Sequence, residues 1–176
     1  MSPASPRRIV VTGPESTGKS AIAQRLARDL GLPMAPEYAR VYLETHGPRY
    51  DYDLLLRLSR GHLDFQRHHV DPAAALGIFD TDLINYKVWC EVAYGACHPD
   101  ILAAMAGETG HRYLLCAPDL PWEWDPLREH PGDRPMLFER HRAEIERLGR
   151  PYRVVTGQGE DRFRRAAAAV TELLAG

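Results

Sequence analysis

Short apolar runs alternate with longer stretches of helical period along most of the chain. Ile9-Val10-Val11 is a β-branched run that reads as a buried strand, and it ends at once in Thr12-Gly13-Pro14-Glu15-Ser16-Thr17-Gly18-Lys19-Ser20. The period then changes. Ile22, Leu26 and Leu30, with Ala23 and Ala27 beside them, form a helical stripe that Gly31 terminates. A second strand is expected over 33–36, with helical patterns over 41–44 and 54–65. Ala75-Leu76-Gly77-Ile78-Phe79 is the next clear strand and delivers Asp80-Thr81-Asp82 at its C-terminal end. Helices over 83–92 and 101–107 precede a third apolar strand, Tyr113-Leu114-Leu115-Cys116, which also runs toward an acid, Asp119. An amphipathic helix over 137–148, a strand over 152–156 and a helix over 163–174 complete the pattern.

Strands that alternate with helices imply right-handed crossovers and a mostly parallel sheet with helices on both faces. Ligands of such sheets sit at the carboxyl ends of the strands, where the acidic and glycine-rich segments fall. The segment 118–134 is rich in Pro, Trp, Asp and Arg without a clean period, which marks it as a candidate lid. No repeat or internal linker interrupts residues 7–176, so one domain is expected after a flexible leader over 1–6.

Composition narrows the function. The 176 residues are 44% hydrophobic and 26% charged, ordinary globular values. No apolar run approaches the roughly 20 residues of a spanning helix, and the N-terminus lacks the layout of a signal peptide, so a cytoplasmic protein without membrane partners is expected. The net charge of −2 and the lack of a basic stripe argue against nucleic acid. Cys90, Cys97 and Cys116 have neither zinc nor disulfide spacing and read as reduced, buried thiols. His68-His69 reads as an exposed helix end. The only two lysines are Lys19 and Lys87, and Lys19 falls in the glycine loop.

Gly13-x-x-x-x-Gly18-Lys19-Ser20 matches the phosphate-binding loop, with the required strand before it and helix after it. The fold class is therefore α/β, a three-layer P-loop NTPase fold with a short lid. Inward amides of Gly13, Glu15, Ser16, Thr17 and Gly18, the helix dipole and the Lys19 ammonium would hold the phosphates of ATP, and Ser20 would ligate Mg2+. Asp80 stands where such proteins hold the metal and is, with Glu37, one of two candidates to orient the attacking hydroxyl; the alternative is that Asp80 or Asp82 is simply the N-cap of the helix from Leu83. Glu37, in Pro36-Glu37-Tyr38-Ala39-Arg40, would face the same crevice and accept the proton of a substrate hydroxyl, or merely start a helix. Arg40 is either a phosphate contact or a surface residue. In the lid, Asp125, Arg128 and Arg134 resemble residues that close over a transferring phosphoryl group, and Trp122 and Trp124 are placed to pack the lid down. Tyr38 and Trp89 are candidates for stacking on a substrate ring. No Asn-Lys-x-Asp segment selects guanine, and an AAA-type motor is expected to bring a longer chain and an oligomer-forming helical subdomain.

The set of the loop, Glu37-Tyr38-Ala39-Arg40, Asp80-Thr81-Asp82 and Pro121-Trp122-x-x-Asp125-x-x-Arg128 resembles the ribosylnicotinamide kinase domain of NadR-type proteins over nearly the whole chain, in the right order. The resemblance implies phosphorylation of nicotinamide riboside by ATP to nicotinamide mononucleotide in NAD salvage. It implies a kinase without the DNA-binding and adenylyltransferase segments of those regulators. Pro126 replaces a frequent glycine, and Asn85-Tyr86 replaces the more usual threonines, with Tyr86 near the expected nucleoside pocket. Glu37, Tyr38, Arg40, Asp82, Tyr86 and Trp89 form the expected substrate set; Lys19, Glu37, Asp80 and Arg128 the catalytic set. Alternatives are a deoxynucleoside-type kinase and a non-catalytic ATP- or GTP-binding regulator.

Overall fold

A parallel sheet of five strands in the order β2-β3-β1-β4-β5 forms the middle of the computed structural model, which describes residues 6–176. The leader expected over 1–6 lies, but for Pro6, outside the described residues. The central strand β1, Arg7–Thr12, pairs in parallel with β3, Leu76–Asp80, and with β4, His111–Cys116. The two-residue β2, Met34–Ala35, and β5, Tyr152–Val155, form the edges.

Alternation along the strands divides the apolar side chains between two cores. Val10, Phe79, Tyr113 and Leu115 face the layer made by α2 (Tyr38–His46), α3 (Tyr52–His69), α4 (Leu83–Tyr94), α5 (Pro99–Gly107) and α6 (Arg134–Arg147). Ile9, Val11, Ile78 and Leu114 face α1 (Lys19–Leu30) and α7 (Gly159–Ala175). Ile9, Val10 and Val11 are wholly buried, and each contributes about 1.5–3 kcal/mol of burial. Both faces being covered explains why these strands read as continuous apolar runs.

Parallel pairing brings Thr12, Ala35, Asp80, Cys116 and Val155 to one rim. Gly13 turns the chain off that rim with φ +133°, and a Cβ there would lie 2.7 Å from the Cys116 carbonyl oxygen. Only glycine permits both the backbone angle and this approach. Boundaries differ from the sequence pattern where polar first turns carry the helix. α7 starts four residues before the expected Phe163 because Glu160 and Asp161 suit its positive end, and α6 begins at Arg134, inside the expected lid. His68 and His69 do close α3, exposed, with their rings turned back to the carbonyls of Asp64 and Phe65. The thiols are free; Cys90 and Cys116 are buried, while Cys97 is half-buried.

Candidate active site

The phosphate loop is built around an empty helix end. Gly18, in the left-handed region, precedes α1 without any side-chain cap, so the first amides of α1 are left for a ligand. The loop braces itself: Thr17 Oγ1 and Lys19 Nζ both donate to the Pro14 carbonyl, at 2.8 and 2.7 Å. Arg162 braces it from outside. This buried guanidinium donates to the carbonyls of Thr17 and Ala117, at 2.9 and 3.0 Å, and to Asp119 at 2.5 Å.

Ser20 Oγ–H donates to Asp80 Oδ2 at 2.6 Å, while the other Asp80 oxygen is buried without a partner among the described residues. Burial, then the negative charge of Glu37, pushes the Asp80 carboxyl up to about 7, against the opposing pull of Ser20, Lys19 and Arg40. A hydroxyl at 2.6 Å from one oxygen and a second oxygen left bare are oxygen donors of the kind a divalent cation takes.

Asp82 is the first correction. Had β3 continued, Asp82 would share a face with Asp80. Thr81 instead adopts φ 67°, an uncommon angle for a β-branched residue, and Asp82 turns away from the cavity. Its carboxylate caps α4 through the Ile84 amide at 3.0 Å and accepts from Tyr113 Oη at 2.6 Å and faces His111 Nδ1 at 3.2 Å. Burial opposes the charge, yet the His111 and Tyr113 hydrogen bonds hold Asp82 below its ordinary range. Asp82, Glu108 and His111 are close enough to share a cation, but Arg150 already supplies the positive charge, donating to Tyr113 and Glu108 at 2.6 and 3.3 Å. Asp82 thus holds α4 in place rather than lining the crevice.

Tyr86 and Tyr38 are the next corrections. Tyr86 is fully buried on the core side of α4, ring to ring with His62 at 5.2 Å. Tyr38 lies over Gly61, where a Cβ would meet its ring at 2.6 Å, and packs on Phe65. Neither lines the cavity.

The cavity has a volume of about 400 Å³, well within the range of small-molecule sites. It is lined by the loop residues from Gly13 to Ser20, by Glu37, Arg40 and Arg128, and by Tyr50, Val88, Trp89, Val92, Leu137 and His141. Glu37 reaches it as the N-cap residue of α2. Trp89 meets Tyr50 edge-on, ring centres 4.8 Å apart.

The lid segment is drawn down onto the loop. Glu15 accepts from the amides of Glu129 and His130, each at 3.1 Å, and Ser16 Oγ accepts from the Glu123 amide at 2.9 Å. Arg128 donates to Glu123 O at 2.6 Å. Arg134 departs from expectation: it does not line the cavity but donates to Ser16 O and Leu120 O at 3.2 and 2.8 Å, its guanidinium over the Trp122 ring. Trp122 therefore packs the lid, whereas Trp124 is 81% exposed and does not. Arg40 ties the lid to α2 through Asp125 at 3.0 Å. The Leu127 amide and Arg40 hold that carboxylate below its ordinary range. Asp125→Ala is expected to raise the rate of trypsin cleavage after Arg128 roughly fivefold, with unfolding free energy moving less than about 1 kcal/mol, because partly exposed pairs stabilise little.

Sequence reasoning missed Arg162, Tyr50 and His141. Arg162 had a signal: it lies on the buried stripe of α7 with Ala166, Ala169 and Leu173, where an unpaired cation is not tolerated.

A family model for an AAA domain, AAA_28, matches residues 8–162. The chain belongs to this AAA-domain family. Among the described residues the sheet is followed by α7. The chain is similar to the trifunctional NAD biosynthesis/regulator protein NadR of Escherichia coli K12, 29% identical over 129 residues, covering 69% of this chain and 31% of that protein. It spans less than a third of such curated relatives. The fold resembles a crystal structure of NadR in complex with NR, with TM-score 0.78 and 22% identity over 96% of this chain and 51% of the other. A NadR structure with NAD and AMP-PNP superposes with TM-score 0.75 and 20% identity, over 98% and 50%. These likenesses establish the α/β P-loop fold with its parallel sheet.

Proposed function

We propose that residues 7–176 act as one ATP-dependent kinase domain that phosphorylates nicotinamide riboside on its 5′-hydroxyl, giving nicotinamide mononucleotide and ADP for NAD salvage. The observation that carries this reading is one cavity lined both by the phosphate loop and by the aromatic side chains of Trp89 and Tyr50, with Glu37 in the same wall. The similarity to NadR, with structures holding NR or AMP-PNP, supports the same pair of ligands. A cationic pyridinium ring suits the faces of Trp89 and Tyr50, and Glu37 adds a negative charge to the same cavity. An ATP-consuming salvage step belongs in the cytoplasm, the compartment proposed here; no described helix is long and apolar enough to cross a membrane.

In this reading the loop amides and Lys19 grip the β- and γ-phosphates. The substrate oxygen attacks the γ-phosphorus as its bond to the bridging oxygen breaks, Glu37 accepts the hydroxyl proton, and ADP leaves. Arg128, on the lid, offsets charge on the transferring group. Ser20 and Asp80 are the residues that would hold Mg2+, which supplies charge neutralisation between the phosphates when bound.

An ADP-release assay over a nucleoside panel tests the reading. Glu37→Gln should lower kcat for nicotinamide riboside about 10²-fold with ATP affinity retained, since the amide cannot take the proton. Turnover of purine or pyrimidine nucleosides alone would shift the assignment to a deoxynucleoside-type kinase. An unaffected Glu37→Gln variant without any phosphoacceptor would favour a nucleotide-binding regulator.

A further inference from the structure

One polar group in the cavity wall takes no part in the chemistry above. His141 lies one turn after Leu137 on α6, only 3% exposed, and lines the same cavity as the phosphate loop. Its Nδ1 is 2.8 Å from the Leu137 carbonyl oxygen. A carbonyl only accepts, so Nδ1 carries the hydrogen and the neutral ring keeps its lone pair on Nε2. That nitrogen, on the edge of the ring away from Leu137, has no partner among the described residues.

A buried acceptor left bare is unfavourable, and such atoms ordinarily find a donor in the protein, in water or in a ligand. Burial, reinforced by the positive charge of Lys19, holds the imidazole down to about 4, so the ring stays an acceptor at neutral pH. The same cavity is lined by apolar Val88, Val92 and Leu137, by Trp89, and by the polar Asn85. A ligand donor brought to His141 Nε2 would find a fixed acceptor, whereas a group that can only accept would face a lone pair.

We propose that His141 Nε2 accepts a hydrogen bond from an N–H or O–H of the bound nucleoside, making His141 a specificity-determining residue of the cavity; the assignment rests on the kinase reading above. The donor is either an exocyclic amide on the base or a ribose hydroxyl, and the choice of analogues separates them.

The test measures nucleoside and ATP KM for the full chain with nicotinamide riboside, its analogue with carboxylate in place of carboxamide, and its 2′- and 3′-deoxy analogues. His141→Leu should raise the KM for nicotinamide riboside about 10-fold and change the ATP KM less than twofold. His141→Asn, which keeps a polar contact near Leu137 but cannot reach the Nε2 position, should match it and stands in if the leucine variant does not fold. His141→Gln should recover most of the loss by placing an amide oxygen there. The analogue for which wild type and variant have equal KM identifies the donor. A variant KM within twofold of wild type, or an equal loss on every analogue, overturns the assignment while leaving the kinase reading intact. Wild type that phosphorylates none of the four overturns both.

Discussion

Replacing Asp80 by asparagine is expected to raise the melting temperature of the ligand-free protein at pH 8 while lowering phosphoryl transfer about 10³-fold. The two effects share one cause. Folding lifts the Asp80 carboxyl from 3.8 to about 7, because burial and Glu37 penalise its charge. The raised value means that the folded protein binds this proton more tightly than the unfolded chain does. Its favourable contribution is therefore fully present below about pH 4, declines as pH rises, and is lost above about 7, where a buried carboxylate must be carried. The difference is on the order of a few kcal/mol. Asparagine is neutral throughout and still offers an oxygen to the Ser20 hydroxyl, so this part of the pH dependence should flatten. The same neutrality leaves no anionic oxygen for Mg2+. Thermal unfolding in EDTA from pH 4 to 8, beside an ADP-release assay, reads both quantities. A wild-type pH profile in Asp80→Asn would show that another group carries the dependence. Nucleotide binding in the presence of Mg2+ should likewise release a proton near pH 6.5 in wild type, and calorimetry in buffers of different ionisation enthalpy measures it.

What could be read without coordinates follows from how local each interaction is. The loop from Gly13 to Ser20 is contiguous, and an apolar strand aims Asp80 at it, so both were legible as one phosphate site. Asp82 and Tyr86 were not. Both acids were placed at the ligand-side end of one strand, but the left-handed Thr81 redirects the chain between them, and a distant tyrosine, Tyr113, claims the Asp82 carboxylate. Tyr86 lies next to Asn85 in sequence, yet one step along a helix carries it about 100° around the axis, from the cavity wall into the core. Tyr50, His141 and Arg162 come from segments remote from the loop and carry no motif. Only folding brings them to the cavity or the loop's outer side, and for Arg162 alone did an out-of-place charge on an apolar stripe give notice. The lid shows the same division. Its composition announced a connection without regular structure, but not that Glu15 would draw it down while Trp124 remained in solvent.

Lys19→Met is expected to lower kcat/KM about 10³-fold with the melting temperature moving by no more than about 2 °C. Stability changes little because among the described residues the ammonium makes a single hydrogen bond, to Pro14 O at 2.7 Å, and Thr17 Oγ1 donates to that same oxygen. Activity changes greatly because charge accumulates on the β,γ-bridging and γ-phosphate oxygens as the bond breaks, and a fixed ammonium there has no reorganisation to make. Methionine fills a similar volume without charge, so the loss reports electrostatics rather than a cavity. Arginine sharpens the test. Its planar fork is wider than an ammonium and needs donors' partners in one plane, whereas the loop closes on a single carbonyl at the point where Lys19 turns. Lys19→Arg should therefore recover less than a tenth of wild-type kcat/KM despite the retained charge, and calorimetry with AMP-PNP should find both variants weakened. Recovery to within twofold by arginine would mean that charge alone, without the compact geometry of the cradle, is what this position supplies.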